Sequence, residues 1–191
     1  MAIDEKSRLR KETSAKLRAI SADKRKADSE KLCARLKEQA TFQNAGAILF
    51  FASLPEEPDL WPLLNEVLGG KKMIALPCFD ADNQAYTPRR ITDIHVEILS
   101  GKFGIREPAP TCVAIPLRDL DLVLVPGVAF ARDGHRLGRG KGFYDRLLQH
   151  FTGQKIGIAF DEQIVEAIPA EKNDVRMDWI LTPTQCVNCG K

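Results

Sequence analysis

The chain has 191 residues, 44% of them apolar and 28% charged, with a net charge of +2. That balance suits one domain with a sizeable core and excludes the weakly apolar, highly charged regime of disordered chains. No run approaches the roughly 18 uninterrupted apolar residues of a membrane span, and the opening MAIDEKSRLRKE has no apolar export segment, so a cytoplasmic protein is expected.

Residues 1–40 hold 12 Lys/Arg against 7 Asp/Glu, a local excess of +5. Such a basic helical end is either a solvated face or a surface that meets an anion. Asp4 to about Ala40 reads as two helices: Leu9, Leu17 and Ile20, then Leu32 and Leu36, recur at helical spacing, with Ser21 as N-cap of the second. Ala45–Leu54 reads as a buried strand, stopped by Pro55 and Pro58. Asp59–Leu68 follows as a helix closed by Gly69 and Gly70. Lys72–Pro77 and Tyr86–Ile91 read as two further strands. Leu120–Val125 (LDLVLV) is the strongest, a continuous apolar run typical of a sheet covered on both faces. A helix over 142–151 and strands at Lys155–Phe160 and Trp179–Leu181 complete the series. Strands alternating with helices imply an α/β fold, a three-layer sandwich with a mainly parallel sheet and an N-terminal helical segment, in a single domain over 1–191.

Five cysteines without an export segment do not suggest a disulfide framework. Cys186 and Cys189 form a CxxC, but His95, His135 and His150 are scattered and complete no zinc site, so a disordered tail is expected there.

The informative segment is VPGVAFARDGHRLGRGKGFYDRL, residues 125–147. It leaves the carboxyl end of the strongest strand, where open α/β sheets bind ligands. Gly134, Gly138, Gly140 and Gly142 free the backbone to present N–H groups to an anion, and Arg136, Arg139 and Lys141 set three cations among them. A following helix would aim its positive end at the same place. The run lacks the GxxxxGK[ST] and GxGxxG patterns, yet it suits a polyphosphate better than a bare surface loop would. Phe143 and Tyr144 fit core packing or a ligand platform. Asp145, just inside the helix, either complements the helix dipole or holds Mg²⁺, with Asp174 and Asp178 in a late loop as possible companions.

The run PGVAFARDGHRLGRGKGFYDRLL closely resembles the signature of the 5-formyltetrahydrofolate cyclo-ligase family, the methenyltetrahydrofolate synthetases. KSRLR, SLPEEPD, KFGIREP and IPAEKNDVRMD are similar to its other segments, in the same order along nearly the whole chain. The resemblance implies that Lys6, Arg10, Arg136, Gly138, Arg139, Gly140, Lys141, Gly142 and Tyr144 bind ATP. Arg139 and Lys141 would act on the transferred phosphoryl group, and Asp145 and Asp174 would hold Mg²⁺. Glu57, Phe103 and Phe143 would bind the folate, although Glu57 also suits an ordinary acidic loop and Phe103 a core position. Arg90 is a looser candidate for nucleotide contact. The family usually carries GYYD where this chain reads Gly142-Phe143-Tyr144-Asp145, which removes one hydroxyl.

The activity so implied is ATP- and Mg²⁺-dependent cyclisation of 5-formyltetrahydrofolate to 5,10-methenyltetrahydrofolate, with phosphorylation of the formyl oxygen and release of ADP and phosphate. Phosphoryl transfer needs positioning and charge neutralisation more than a protein nucleophile. A monomer with small-molecule substrates, and neither nucleic-acid nor membrane partners, is expected. A sugar-phosphate isomerase or kinase on a related scaffold, and a non-catalytic folate-binding paralogue, stand as alternatives.

Overall fold

The computed structural model describes residues 2–101, 104–171 and 173–190, with side chains from Asp4 onward; the expected folate contact Phe103 lies outside the described residues. The chain opens with the two anticipated helices, α1 (Ala2–Ala19) and α2 (Ala22–Glu38), followed by a short α3 (Ala40–Asn44). Ser21 caps α2: its hydroxyl accepts the Lys24 backbone N–H at 3.3 Å, supplying one of the partners that a helix start lacks. α1 is held by Leu9 against residues 129–137 and by Leu17 and Ile20 against Phe160.

Seven strands form the central sheet: β1 (Ala47–Leu49), β2 (Met73–Asp80), β3 (Ala85–Ile91), β6 (Leu122–Val125), β9 (Gln154–Ile158), β11 (Trp179–Leu181) and β12 (Cys186–Asn188). Their order is β12-β11-β9-β6-β1-β2-β3; the five inner strands are parallel and both edges antiparallel. The LVLV of β6 explains the layering. Leu122 and Leu124 pack with Leu32, Leu36 and α4 (Trp61–Val67) on one face. Val123 and Val125 pack with Leu147, Leu148 and Phe130 on the other. Alternate side chains of one strand thus serve two cores. A small sheet joins β10 (Ile164–Val165), β7 (Ala129–Ala131) and β8 (Arg136–Leu137). A turn of helix, α5 (Ile94–Glu97), leads into the hairpin β4 (Ile98–Ser100) and β5 (Arg106–Pro108).

Several expected elements are shorter. The first strand ends at Leu49 rather than Leu54, because Phe51 and Ala52 leave the ladder to wall a cleft. The helix after the glycine loop, α6, spans only Phe143–Leu148. The tail expected to be disordered is instead edge strand β12, registered against β11 through Ile180↔Val187. Burial of Cys189 and packing of Val187 on the core hold it there. Among the described residues no helix is long and apolar enough to cross a membrane.

Candidate active site

Strand order reverses between β1 and β6: the chain moves from β1 toward β2 on one side and from β6 toward β9 on the other. Loops leaving the carboxyl ends of two such strands part and open a crevice. Here residues 51–57 follow β1 and residues 126–145 follow β6, and both line a cleft of about 990 Å³. Thirteen of the expected site residues border it: Lys6, Arg10, Glu57, Arg136, Gly138, Arg139, Gly140, Lys141, Gly142, Phe143, Tyr144, Asp145 and Asp174. Arg90 and Asp178 do not. Arg90 is exposed on β3, and Asp178 is turned to Lys155, pairing with its Nζ at 2.9 Å and accepting its backbone N–H.

The glycine loop takes its shape from its sequence. Gly140 and Gly142 have φ of +94° and +64°, a left-handed region where a side chain would be strained. Two such residues flanking Lys141 turn the chain sharply into α6. With only six residues, α6 contributes a weak dipole, so the cations carry most of the positive potential.

These cations are paired with carboxylates. Arg136 is buried and donates to Asp145 Oδ1 at 2.8 Å and to the carbonyl of Pro126 at 3.3 Å. Arg139 donates to Glu57 Oε1 at 3.2 Å, joining the two loops across the crevice. Lys141 is exposed and forms no ion pair among the described residues.

Helix α1 closes the cleft from the far end of the chain. Lys6 Nζ lies 3.0 Å from Asp174 Oδ2 and 2.9 Å from Glu171 Oε1, and Arg10 Nε donates to the carbonyl of Gly138 at 2.9 Å. Burial alone would lower the Lys6 ammonium, but the bonds to Glu171 and Asp174 outweigh it and hold it above its ordinary range. Glu57 shows the reverse balance. Burial raises its carboxyl, and the Leu54 N–H and Arg139 only partly pull it back.

Beside the glycine loop the cleft lining becomes apolar and aromatic. Phe79, Tyr86 and Phe143 meet edge-on, with centroids 5.1–5.8 Å apart, and Tyr86 also tilts against Tyr144 at 5.8 Å. Phe143 therefore both packs and borders the cleft. Burial lifts the Tyr86 phenol above its ordinary range and the Tyr144 phenol well above it. Pro77, Ile105 and the buried carboxylate Glu107 complete this wall. Tyr86 and Glu107 were not singled out from sequence; the EP of KFGIREP was the available signal.

Asp145 and Asp174 are hard oxygen donors on one cleft, and no group of three or more His, Cys, Asp or Glu poised for a metal occurs among the described residues. Two carboxylates fit Mg²⁺ arriving with a nucleotide, since that ion keeps waters and phosphate oxygens as its other ligands.

The fold and cleft define an α/β protein whose switch-point crevice gathers cations, carboxylates and an aromatic wall. The chain belongs to the 5-formyltetrahydrofolate cyclo-ligase family, whose model matches residues 2–183. It is 31% identical over 184 residues to the 5-formyltetrahydrofolate cyclo-ligase of Mus musculus, covering 91% of each chain. It is also 31% identical over 178 residues to that of Escherichia coli K12, covering 88% of this chain and 94% of that one. The solved structure of Aquifex aeolicus 5,10-methenyltetrahydrofolate synthetase superposes with a TM-score of 0.87 at 33% identity, covering 97% of this chain and 93% of that one. The chain is thus an enzyme of the cyclo-ligase class, matching the resemblance read from its glycine loop.

Proposed function

We propose that the cleft binds Mg·ATP and 5-formyltetrahydrofolate together and phosphorylates the formyl oxygen before ring closure. The observation that carries this reading is the convergence of Lys6, Arg10, Arg136, Arg139 and Lys141 with Asp145 and Asp174 on one crevice, directly beside the aromatic wall.

The formyl oxygen on N5 is a poor leaving group, so attack by N10 on the formyl carbon would stall. Transfer of the γ-phosphoryl group to that oxygen makes it a leaving group. N10 then forms the new C–N bond and gives up its proton to water, and phosphate departs with the electrons of the C–O bond, giving the 5,10-methenyl product, ADP and phosphate. Mg²⁺ brought with ATP, held by Asp145 and Asp174, would neutralise phosphate charge. Backbone N–H groups around Gly138–Gly142 and the side chains of Arg139 and Lys141 would hold the phosphates in line with the acceptor. Lys6 and Arg10 would bind the phosphates from above, keeping α1 over the site. Glu57 would accept a donor of the pterin, while Phe143 packs beside it. Small-molecule substrates and a monomer suffice for this chemistry.

Positioning supplies most of the acceleration in such a transfer, so ATP breakdown should depend on the acceptor oxygen. Purified protein should release one ADP for each methenyl product from 5-formyltetrahydrofolate, and little ADP with tetrahydrofolate. Equal ADP release with both, or methenyl product without nucleotide, would overturn the mechanism. Absence of both activities would favour a folate-binding paralogue.

A further inference from the structure

Glu107 lines the cleft together with Pro77, Tyr86 and Ile105. The residue is 93% buried, yet its carboxylate receives one hydrogen bond, from the Phe79 N–H to Oε2 at 3.2 Å. Among the described residues Oε1 has no hydrogen-bond partner and no Lys or Arg forms an ion pair with this carboxylate. The side chain is also fixed from behind. A Cβ on Gly101 would fall 2.6–2.8 Å from Glu107, so this backbone approaches as closely as glycine permits. Of the other carboxylates on the cleft, Glu57 serves Leu54 and Arg139, Asp145 serves Arg136, and Asp174 and Glu171 serve Lys6.

A buried carboxylate with vacant lone pairs calls for donors. The pyrimidine edge of a reduced pterin presents an amino group and a ring N–H side by side, matching a carboxylate; the corresponding edge of adenine pairs a donor with an acceptor. We propose that Glu107 is a specificity-determining residue that accepts the amino and ring N–H donors of the folate's pterin. Burial raises this carboxyl above its ordinary range, with the Phe79 N–H only partly opposing. A ligand supplying two donors would restore the ionised form. The inference rests on the folate reading of the cleft.

The test is calorimetric binding of 5-formyltetrahydrofolate and, separately, of ATP to the native protein, Glu107→Gln and Glu107→Asp, each with a thermal melt. Gln keeps an acceptor for Phe79 and so preserves a purely structural role. It should nonetheless weaken folate binding about tenfold or more, as expected for losing a hydrogen bond to a charged group. ATP affinity should stay within about twofold. Asp retains the charge on a shorter arm and should fall between. A 2-deamino folate analogue should bind the native protein more weakly but show little further loss with Gln. Native-like folate binding by Glu107→Gln overturns the inference, as does an equal loss of ATP affinity. Should Gln not fold, native-like folate binding by Asp overturns it. A native protein that cyclises 5-formyltetrahydrofolate while its Gln variant binds undiminished refutes this assignment alone. Failure of the native protein to bind any folate removes the reading beneath it, and this inference with it.

Discussion

The two flanks of the cleft follow opposite electrostatic plans. On the side of α1 and the glycine loop, cations and carboxylates neutralise one another: Lys6 with Asp174 and Glu171, Arg136 with Asp145, Arg139 with Glu57. On the side of β2, β3 and β5, Glu107 is buried with a single backbone donor beside aromatic rings. The first flank resembles a set of exchangeable ion pairs. Under the proposed function, an incoming triphosphate would take the cations while its metal takes the aspartates, so little charge would be left uncompensated. On the second flank the proposed role of Glu107 would select a ligand by the donors it brings to an unmet acceptor. Crowding six cations into one cleft is tolerable because most already have a partner, which also makes α1 a clasp.

Lys141→Ala tests the exchangeable flank hardest. With no carboxylate partner to lose, Lys141 should matter little to folding and much to a phosphate. Charge-assisted hydrogen bonds of this kind contribute roughly 1.5–3 kcal/mol, or about 10- to 150-fold in ATP utilisation. Initial rates at limiting ATP and a thermal melt check it. Full turnover at limiting ATP would place Lys141 outside the phosphate site.

A smaller effect should follow from changing the aspartates. Asp145→Asn and Asp174→Asn should each raise the Mg²⁺ concentration for half-maximal activity, on the order of tenfold, because an amide is a poorer ligand for a hard cation. Asp174→Asn also removes one of the two partners of Lys6, so the clasp should loosen and ATP be held less well. Titration curves matching the native protein would make both aspartates structural.

How these flanks could be read from sequence differs in the same way. Glycines and cations within residues 134–142 share one loop, so their chemistry was local and legible. Lys6 and Asp174 stand 168 positions apart, and only family resemblance linked them. Asp178 had the same local claim as Asp174, but the register of β9 and β11 commits it to Lys155. Glu107 shows in the sequence only as part of an EP turn, because its burial comes from the close approach of Gly101 and from the end of β2, contacts that no spacing reveals. The same holds for β12. Its polar, cysteine-bearing sequence resembles a tail until the edge of β11 is present to pair with it.

The smallest predicted effect concerns the residue that joins the two flanks. Glu57 bonds Arg139 on one side and borders the cleft on the other. Burial raises its carboxyl above the ordinary 4.5, against the pull of the Leu54 N–H and Arg139. A carboxyl raised on folding stabilises the folded state most below its unfolded pKa. That benefit is lost as pH climbs through the folded value, so at neutral pH the charge costs stability. Glu57→Gln keeps an oxygen for the Leu54 N–H and removes the charge. Relative to the native protein, the variant should therefore gain stability between about pH 4.5 and pH 7.5, as denaturant unfolding at the two values would show. It should bind 5-formyltetrahydrofolate more weakly over the same range. Were the variant instead to lose stability as pH rises, the ion pair with Arg139 would outweigh burial, and Glu57 would belong to the exchangeable flank. A gain in stability with a loss of folate binding would put Glu57 with Glu107, as an acceptor kept at a cost to the fold because the ligand needs it.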